Sequence, residues 1–125
     1  MKKIENILVI DRGKTSSLGA VEQLRLHGYN VDLLADCLEA KNWLPSHLCD
    51  AILLDFHVED HCDIEFMTWL KSYKIEIPLI AMLEDLSVYE EARVFCEQSG
   101  KIPLLNKQFA ALEAIDHLEQ LKRAS

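Results

Sequence analysis

The sequence predicts an α/β domain built as an open, doubly wound parallel sheet of five strands with helices on both faces. Two observations carry this reading. Short aliphatic runs at 7–10, 31–34, 51–54, 78–82 and 102–105 alternate strictly with stretches whose apolar residues recur every three or four positions. The first and third runs are apolar at consecutive positions, which suits strands buried on both faces as in a parallel sheet.

Each element follows from local residue types. Ile7-Leu8-Val9-Ile10 is a strand stopped by Asp11-Arg12-Gly13. From about Thr15 to His27, Leu18, Val21 and Leu24 mark a helix that Gly28 ends. Val31 to Leu34 is the second strand, and 38–44 a short helix stopped before Pro45. Ala51-Ile52-Leu53-Leu54 is the third strand and ends on Asp55, and a polar loop runs from His57 to Cys62. Ile64, Met67 and Leu70 mark a helix to about Tyr73, with Trp69 and Tyr73 packing at i, i+4. Pro78 to Met82 is the fourth strand. Val88, Ala92, Phe95 and Cys96 form a helix capped by Gly100. Ile102-Pro103-Leu104-Leu105 is a short fifth strand, and Pro103 places it at an edge. The last helix runs from Phe109 with Leu112, Ile115 and Leu118 inward.

Bulk properties narrow the function classes. A chain of 125 residues is one domain, expected to span 1–125, and can bury a core without staples. A net charge of −8 argues against a nucleic-acid surface, which needs clustered Lys and Arg. No apolar run approaches the roughly 20 residues of a membrane span. The start, Met1 to Asn6, lacks the apolar stretch of a signal peptide, so a cytoplasmic protein is expected. The four cysteines form no CxxC pair and read as reduced thiols.

In such sheets ligands bind at the carboxyl ends of the strands. Asp11 follows the first strand, Asp55 the third, and Lys107 comes just after the fifth. Two carboxylates and an ammonium at one edge suit a small hard cation and a phosphoryl group, with Asp as a possible nucleophile. The plainer alternative is that these are solvated turn residues.

Over nearly its whole length the chain resembles the receiver domain of two-component response regulators. The resemblance rests on Ile7-Leu8-Val9-Ile10-Asp11, Gly28-Tyr29-Asn30-Val31, Ala51-Ile52-Leu53-Leu54-Asp55, Ile77-Pro78-Leu79-Ile80, and Gly100 seven residues before Lys107. It implies a flavodoxin-like sheet of strand order 2-1-3-4-5 and a signalling module rather than an enzyme. It implies Asp55 as phosphoacceptor, Asp11 and Asp55 as Mg²⁺ ligands, and Lys107 as the phosphate-contacting lysine. The implied partners are a histidine kinase or phosphotransfer protein. A homodimer or downstream effector would use the face of the fourth helix, fifth strand and fifth helix, with no direct nucleic acid and no membrane.

Several positions depart from the family pattern. Arg12 replaces the second acid. The hydroxyl expected after the fourth strand falls at Leu83 counting from Pro78, or near Asp85 counting back from Lys107; the nearest hydroxyl is Ser87. Leu104 replaces the aromatic of the fifth strand, and Gln108 replaces the proline after the lysine, which disfavours a cis peptide. Phe109 is kept. Glu59 or Asp60 is an alternative metal ligand, and Arg12 paired with Asp55 or Asp11 is an alternative metal-free closure. Two functional readings stay open: a phosphorylated receiver, and a degenerate one used as a phosphorylation-independent docking or dimerisation module.

Other signals point to other classes. Gly13-Lys14-Thr15 lacks the upstream glycine of a P-loop, where Leu8 stands. Thr15-Ser16-Ser17 is a hydroxyl N-cap or, in a phosphate- or flavin-binding module of similar topology, a phosphate cradle. His57, His61 and Cys62 are transition-metal ligand types, alongside Asp60 or Asp63, on a loop that otherwise reads as exposed and polar. Glu84, Asp85, Glu90 and Glu91 form a solvated acidic face or a partner contact.

Overall fold

The structure, a computed structural model, describes residues 4–12 and 17–124. Five strands, β1 (Asn6–Ile10), β2 (Asn30–Leu34), β3 (Ala51–Asp55), β4 (Leu79–Leu83) and β5 (Leu104–Asn106), form one sheet. Its order is β2-β1-β3-β4-β5 and every pairing is parallel. The helices are α1 (Leu18–Leu26), α2 (Cys37–Trp43), α3 (His61–Ser72), α4 (Tyr89–Gln98) and α5 (Ala110–Ala124). Among the described residues no helix is long and apolar enough to cross a membrane.

Strand side chains alternate between two cores. Leu8, Ile10, Ile52, Leu54, Ala81 and Leu83 pack against α2, α3 and α4 through Cys37, Ala40, Phe66, Leu70, Ala92 and Cys96. Ile7, Val9, Leu53, Ile80 and Met82 pack against α1 and α5 through Val21, Leu24, Ala114 and Leu118. Every residue of β3 and β4 is buried, which is why both runs are continuously apolar. Asp50 aligns the strand starts, since its Oδ2 accepts from the backbone N–H of Glu5 at 3.0 Å and of Asn6 at 2.8 Å.

The element order matches the sequence reading, while several details differ. α3 begins at His61 inside the expected loop, because Asp60 caps it by accepting from Cys62 N–H at 2.8 Å. β5 starts after Pro103, whose carbonyl accepts from Ala81, and continues to Asn106 at the sheet edge. Leu18 and Leu112, expected inward, are exposed. The inner stripe of α5 is instead Ala110, Ala114 and Leu118, at four-residue steps, with Ile115 flanking it. Small alanines there let α5 lie close to the sheet. Gly28 and Gly100 follow α1 and α4 with φ of 101° and 117°, values open to glycine, which ends both helices. Trp69 and Tyr73 do pack, with ring centroids 5.8 Å apart.

Candidate functional site

The register of the central strands assembles the site. Ile10 of β1 lies beside Leu54 of β3, so the next residues, Asp11 and Asp55, emerge side by side at the carboxyl edge. Lys107 follows β5, beyond β4, and reaches back over that strand. Its Nζ lies 3.1 Å from Asp11 Oδ2 and 3.1 Å from Asp55 Oδ2. All three are out of water, with side chains 0%, 5% and 6% exposed for Asp11, Asp55 and Lys107. Solvated turn residues would not be buried in this way.

Burial makes this cluster tense. It pushes the Asp55 carboxyl above its ordinary range, and Asp11 adds to that, against the opposing pull of Lys107 and His57. For Lys107 burial disfavours the charge, yet hydrogen bonds and charge attraction from Asp11 and Asp55 outweigh it and raise its pKa. The ammonium therefore stays charged. Asp55 Oδ2 is committed to Lys107, while Asp55 Oδ1 is buried with no hydrogen-bond partner among the described residues. A carboxylate with one oxygen held and one unengaged is a poised nucleophile or cation ligand.

Asp55 lines a pocket of ≈ 450 Å³ with Ile10, Arg12, His57, Asp60 and Asp63 among its walls. A roomier groove of ≈ 600 Å³ at the opposite edge, lined by residues such as Leu70, Pro78 and Leu121, holds no such cluster of opposed charges. Among the described residues Arg12 forms its ion pair with Asp60 rather than with Asp55 or Asp11. The chain turns at Arg12, and its largely exposed side chain crosses to the start of α3. Glu59 lines a separate small cavity with Leu83 and Asp85, so of the two alternative ligands Asp60 is the one beside the Asp55 pocket.

The other departures also find their places. Leu83 ends β4, buried, in register with Asn106. Ser87 is tied locally: its hydroxyl donates to Asp85 Oδ1 at 2.6 Å and its N–H to the same oxygen at 3.0 Å. It does not stand in for the missing hydroxyl. Leu104 is half-buried against the α2–α4 core, Gln108 follows through a trans peptide, and Phe109 is exposed.

Two residues that the sequence offered in other roles, Ser17 as part of a cap or phosphate cradle and Asp63 as a loop metal ligand, take up places at the site. Ser17 precedes α1 but makes no cap bond; its hydroxyl donates to Asp11 Oδ2. The rest of the proposed hydroxyl cap, Thr15 and Ser16, and the Gly13-Lys14-Thr15 segment lie outside the described residues. Asp63 is buried, accepting from His57 N–H at 2.8 Å and from the Cys37 thiol at 3.3 Å. Asp60-x-x-Asp63 ahead of an apolar run has the spacing of a capping box, but Asp63 accepts from His57 N–H, while the Asp60 N–H donates to the His57 carbonyl.

No protein-family model matches the chain. Among curated proteins it is similar to the response regulator MprA of Mycobacterium avium (strain 104), 29% identical over 117 residues, covering 94% of this chain and 50% of that protein. MprA of Mycobacterium sp. (strain KMS) is 28% identical over the same span. The chain spans about half the length of the curated relatives it matches. Solved structures share the fold. The receiver domain of a Francisella response regulator gives a TM-score of 0.75 at 22% identity, covering 97% of this chain and 99% of that one. Response regulator TrrA of Thermotoga maritima, in complex with Mg(2+)-BeF, gives 0.76 at 19%, covering 94% and 99%. The RcsB–DNA complex gives 0.78 at 17%, covering 98% and 62%. With the receiver strand order on one side and the sequence likeness to response regulators on the other, the chain has the fold of response-regulator receiver domains and is similar in sequence to response regulators.

Proposed function

We propose that Asp55 accepts a phosphoryl group from the phosphohistidine of a histidine kinase or phosphotransfer protein, and that the domain relays this signal through protein contacts. The observation that carries the reading is the unengaged, buried Oδ1 of Asp55 beside a charged Lys107. In the transfer an O–P bond forms at Asp55, the donor's N–P bond breaks, and the leaving imidazole nitrogen keeps the electron pair. Lys107 then meets the charge on the phosphoryl oxygens, a role that suits a mobile ammonium. Asp11 holds Lys107 in place, and Ser17 holds Asp11.

The donors fit Mg²⁺, since the buried Oδ1 of Asp55 lacks a partner and Asp11 adds a second hard oxygen ligand. Asp11 and Asp55 would hold the ion, which would neutralise charge on the phosphoryl oxygens. Arg12 brings no carboxylate to this pair, so weaker Mg²⁺ affinity than two adjacent acids would give is expected.

Leu83 offers no hydroxyl to a phosphorylated Asp55, so phosphate would act on the partner surface through charge and packing alone. That surface is α4, β5 and α5, for a second copy or a downstream effector. Incubation with Mg²⁺ and a small phosphodonor, followed by intact mass, tests the reading. One added phosphoryl group, absent in Asp55→Asn, is the expected result. No gain with or without a cognate kinase leaves the docking-module reading in its place.

A further inference from the structure

Beside the Asp11–Asp55 pair stands a second set of donors. His57, Asp60 and Asp63 each bring one ligand atom to within 4.8 Å of the others. They come from the loop after β3 and the first turn of α3, which Asp60 starts and Asp63 pins down. His57 Nδ1 is a buried atom with no hydrogen-bond partner among the described residues, and it lies 3.5 Å from Asp63 Oδ2. Two donors on one tetrahedral ion, each about 2.0–2.2 Å from it, stand about 3.4 Å apart. The pair is thus already at the spacing of a shared cation. Asp63 Oδ2 accepts one bond, from His57 N–H, which leaves a lone pair for a metal. Asp55, 5% exposed and with an Oδ1 that has no partner among the described residues, lines the same pocket as these three.

We propose that His57, Asp60 and Asp63 form a binding site for a divalent first-row transition ion such as Zn²⁺, distinct from the oxygen-only Mg²⁺ site at Asp11 and Asp55. The donor set selects the class. An imidazole nitrogen favours zinc-type ions over Mg²⁺, while two carboxylates disfavour soft Cu(I). Sulfur does not enter. Cys37 is a neutral donor to Asp63, its thiol pushed up by burial and by that carboxylate, and Cys62 lies outside the three-residue cluster. The competitor is Arg12, whose guanidinium holds Asp60. Its side chain is 57% exposed, so it can swing into water as the ion arrives. With an ion there, the loop carrying His57 would be fixed next to Asp55, and His57 Nε2 already lies 3.8 Å from Asp55 Oδ2. The site therefore couples metal availability to access at Asp55.

Titration calorimetry of the full chain with Zn²⁺, in saturating Mg²⁺ and without phosphodonor, tests the proposal apart from phosphate transfer. One Zn²⁺ per chain is expected to bind. His57→Ala and Asp60→Asn should each weaken binding by about tenfold or more, His61→Ala should leave it unchanged, and Arg12→Ala should tighten it several-fold. Asp60→Asn keeps the helix cap and His57 is partly exposed, so both variants should fold, which far-UV circular dichroism checks. Absence of Zn²⁺ binding by the wild type, or equal binding by His57→Ala, overturns the proposal. So does Zn²⁺ that Mg²⁺ displaces with simple competition, since both ions would then share the Asp11–Asp55 oxygens.

Discussion

Lys107 holds two buried carboxylates, at 3.1 Å each, so the energetics of this site centre on one side chain. Removing one partner of a buried ion pair strands a charge and costs about 3–5 kcal/mol. Lys107→Met should therefore destabilise the fold by about 3 kcal/mol in urea unfolding at neutral pH. Adding Asp55→Asn should recover part of that loss, and an unchanged loss would show the charges to be uncoupled. The pH dependence follows from Asp55. Burial lifts its carboxyl above the ordinary 3.8, so the native state holds this proton more tightly than the unfolded chain does. Its contribution is complete below pH 3.8 and is lost as pH rises through the folded pKa. The stability deficit of wild type against Asp55→Asn should widen upward from that pH, read from urea midpoints with a chelator present; a narrowing gap would contradict the burial argument.

At the level of elements, the strand ends and the start of α3 decide what the pocket can do. Asp63 joins that helix to the loop after β3 and to Cys37 in α2. Asp63→Ala leaves a partly buried His57 N–H without its acceptor and should cost about 1 kcal/mol by denaturant unfolding. Leu83 is 2% exposed at the end of β4, where a hydroxyl would be needed to reach Asp55. Leu83→Thr removes packing and buries a polar group, so a loss of about 2 kcal/mol is expected. If the fold survives that loss, phosphodonor should change amide exchange along α4 more in Leu83→Thr than in wild type. The strands were legible because double burial demands continuous apolar runs. The helix faces were less so, since Leu18 and Leu112 fit a helical period yet face water. Periodicity says that a helix has an apolar stripe, and the sheet decides which alanines may approach it.

Across the whole molecule the two cores share one sheet and are tied at its rim. Tyr29 donates to Glu119 at 2.8 Å while Lys122 lies 4.6 Å above its ring, which fastens α5 to the segment between α1 and β2. The four cysteines report on this integrity. Cys62 is exposed, whereas burial raises Cys49 and Cys96 to about 11 and lifts Cys37 as well. A thiol reagent at neutral pH should modify Cys62 first in the native protein and the others at the rate of unfolding, followed by peptide mass mapping. Early modification of Cys37 or Cys96 would show that the α2–α4 core opens locally. The same global packing buries Asp11, Asp55 and Lys107 together, something no single element accomplishes.

The sequence by itself determined the five alternating units, the acid at the end of each of two central strands and the lysine after the fifth. Those are properties of local residue type and spacing, and they survive without knowledge of any contact. The tertiary structure decided what the departures mean. Arg12 turned to Asp60 because the chain bends there, Ser87 stayed with Asp85, and Ser17 gave its hydroxyl to Asp11. It also gathered His57, Asp60 and Asp63 around one point, through a helix that starts inside a stretch reading as loop. Pairings of this kind depend on where backbone turns aim side chains across sequence gaps, and spacing along a chain does not encode that direction.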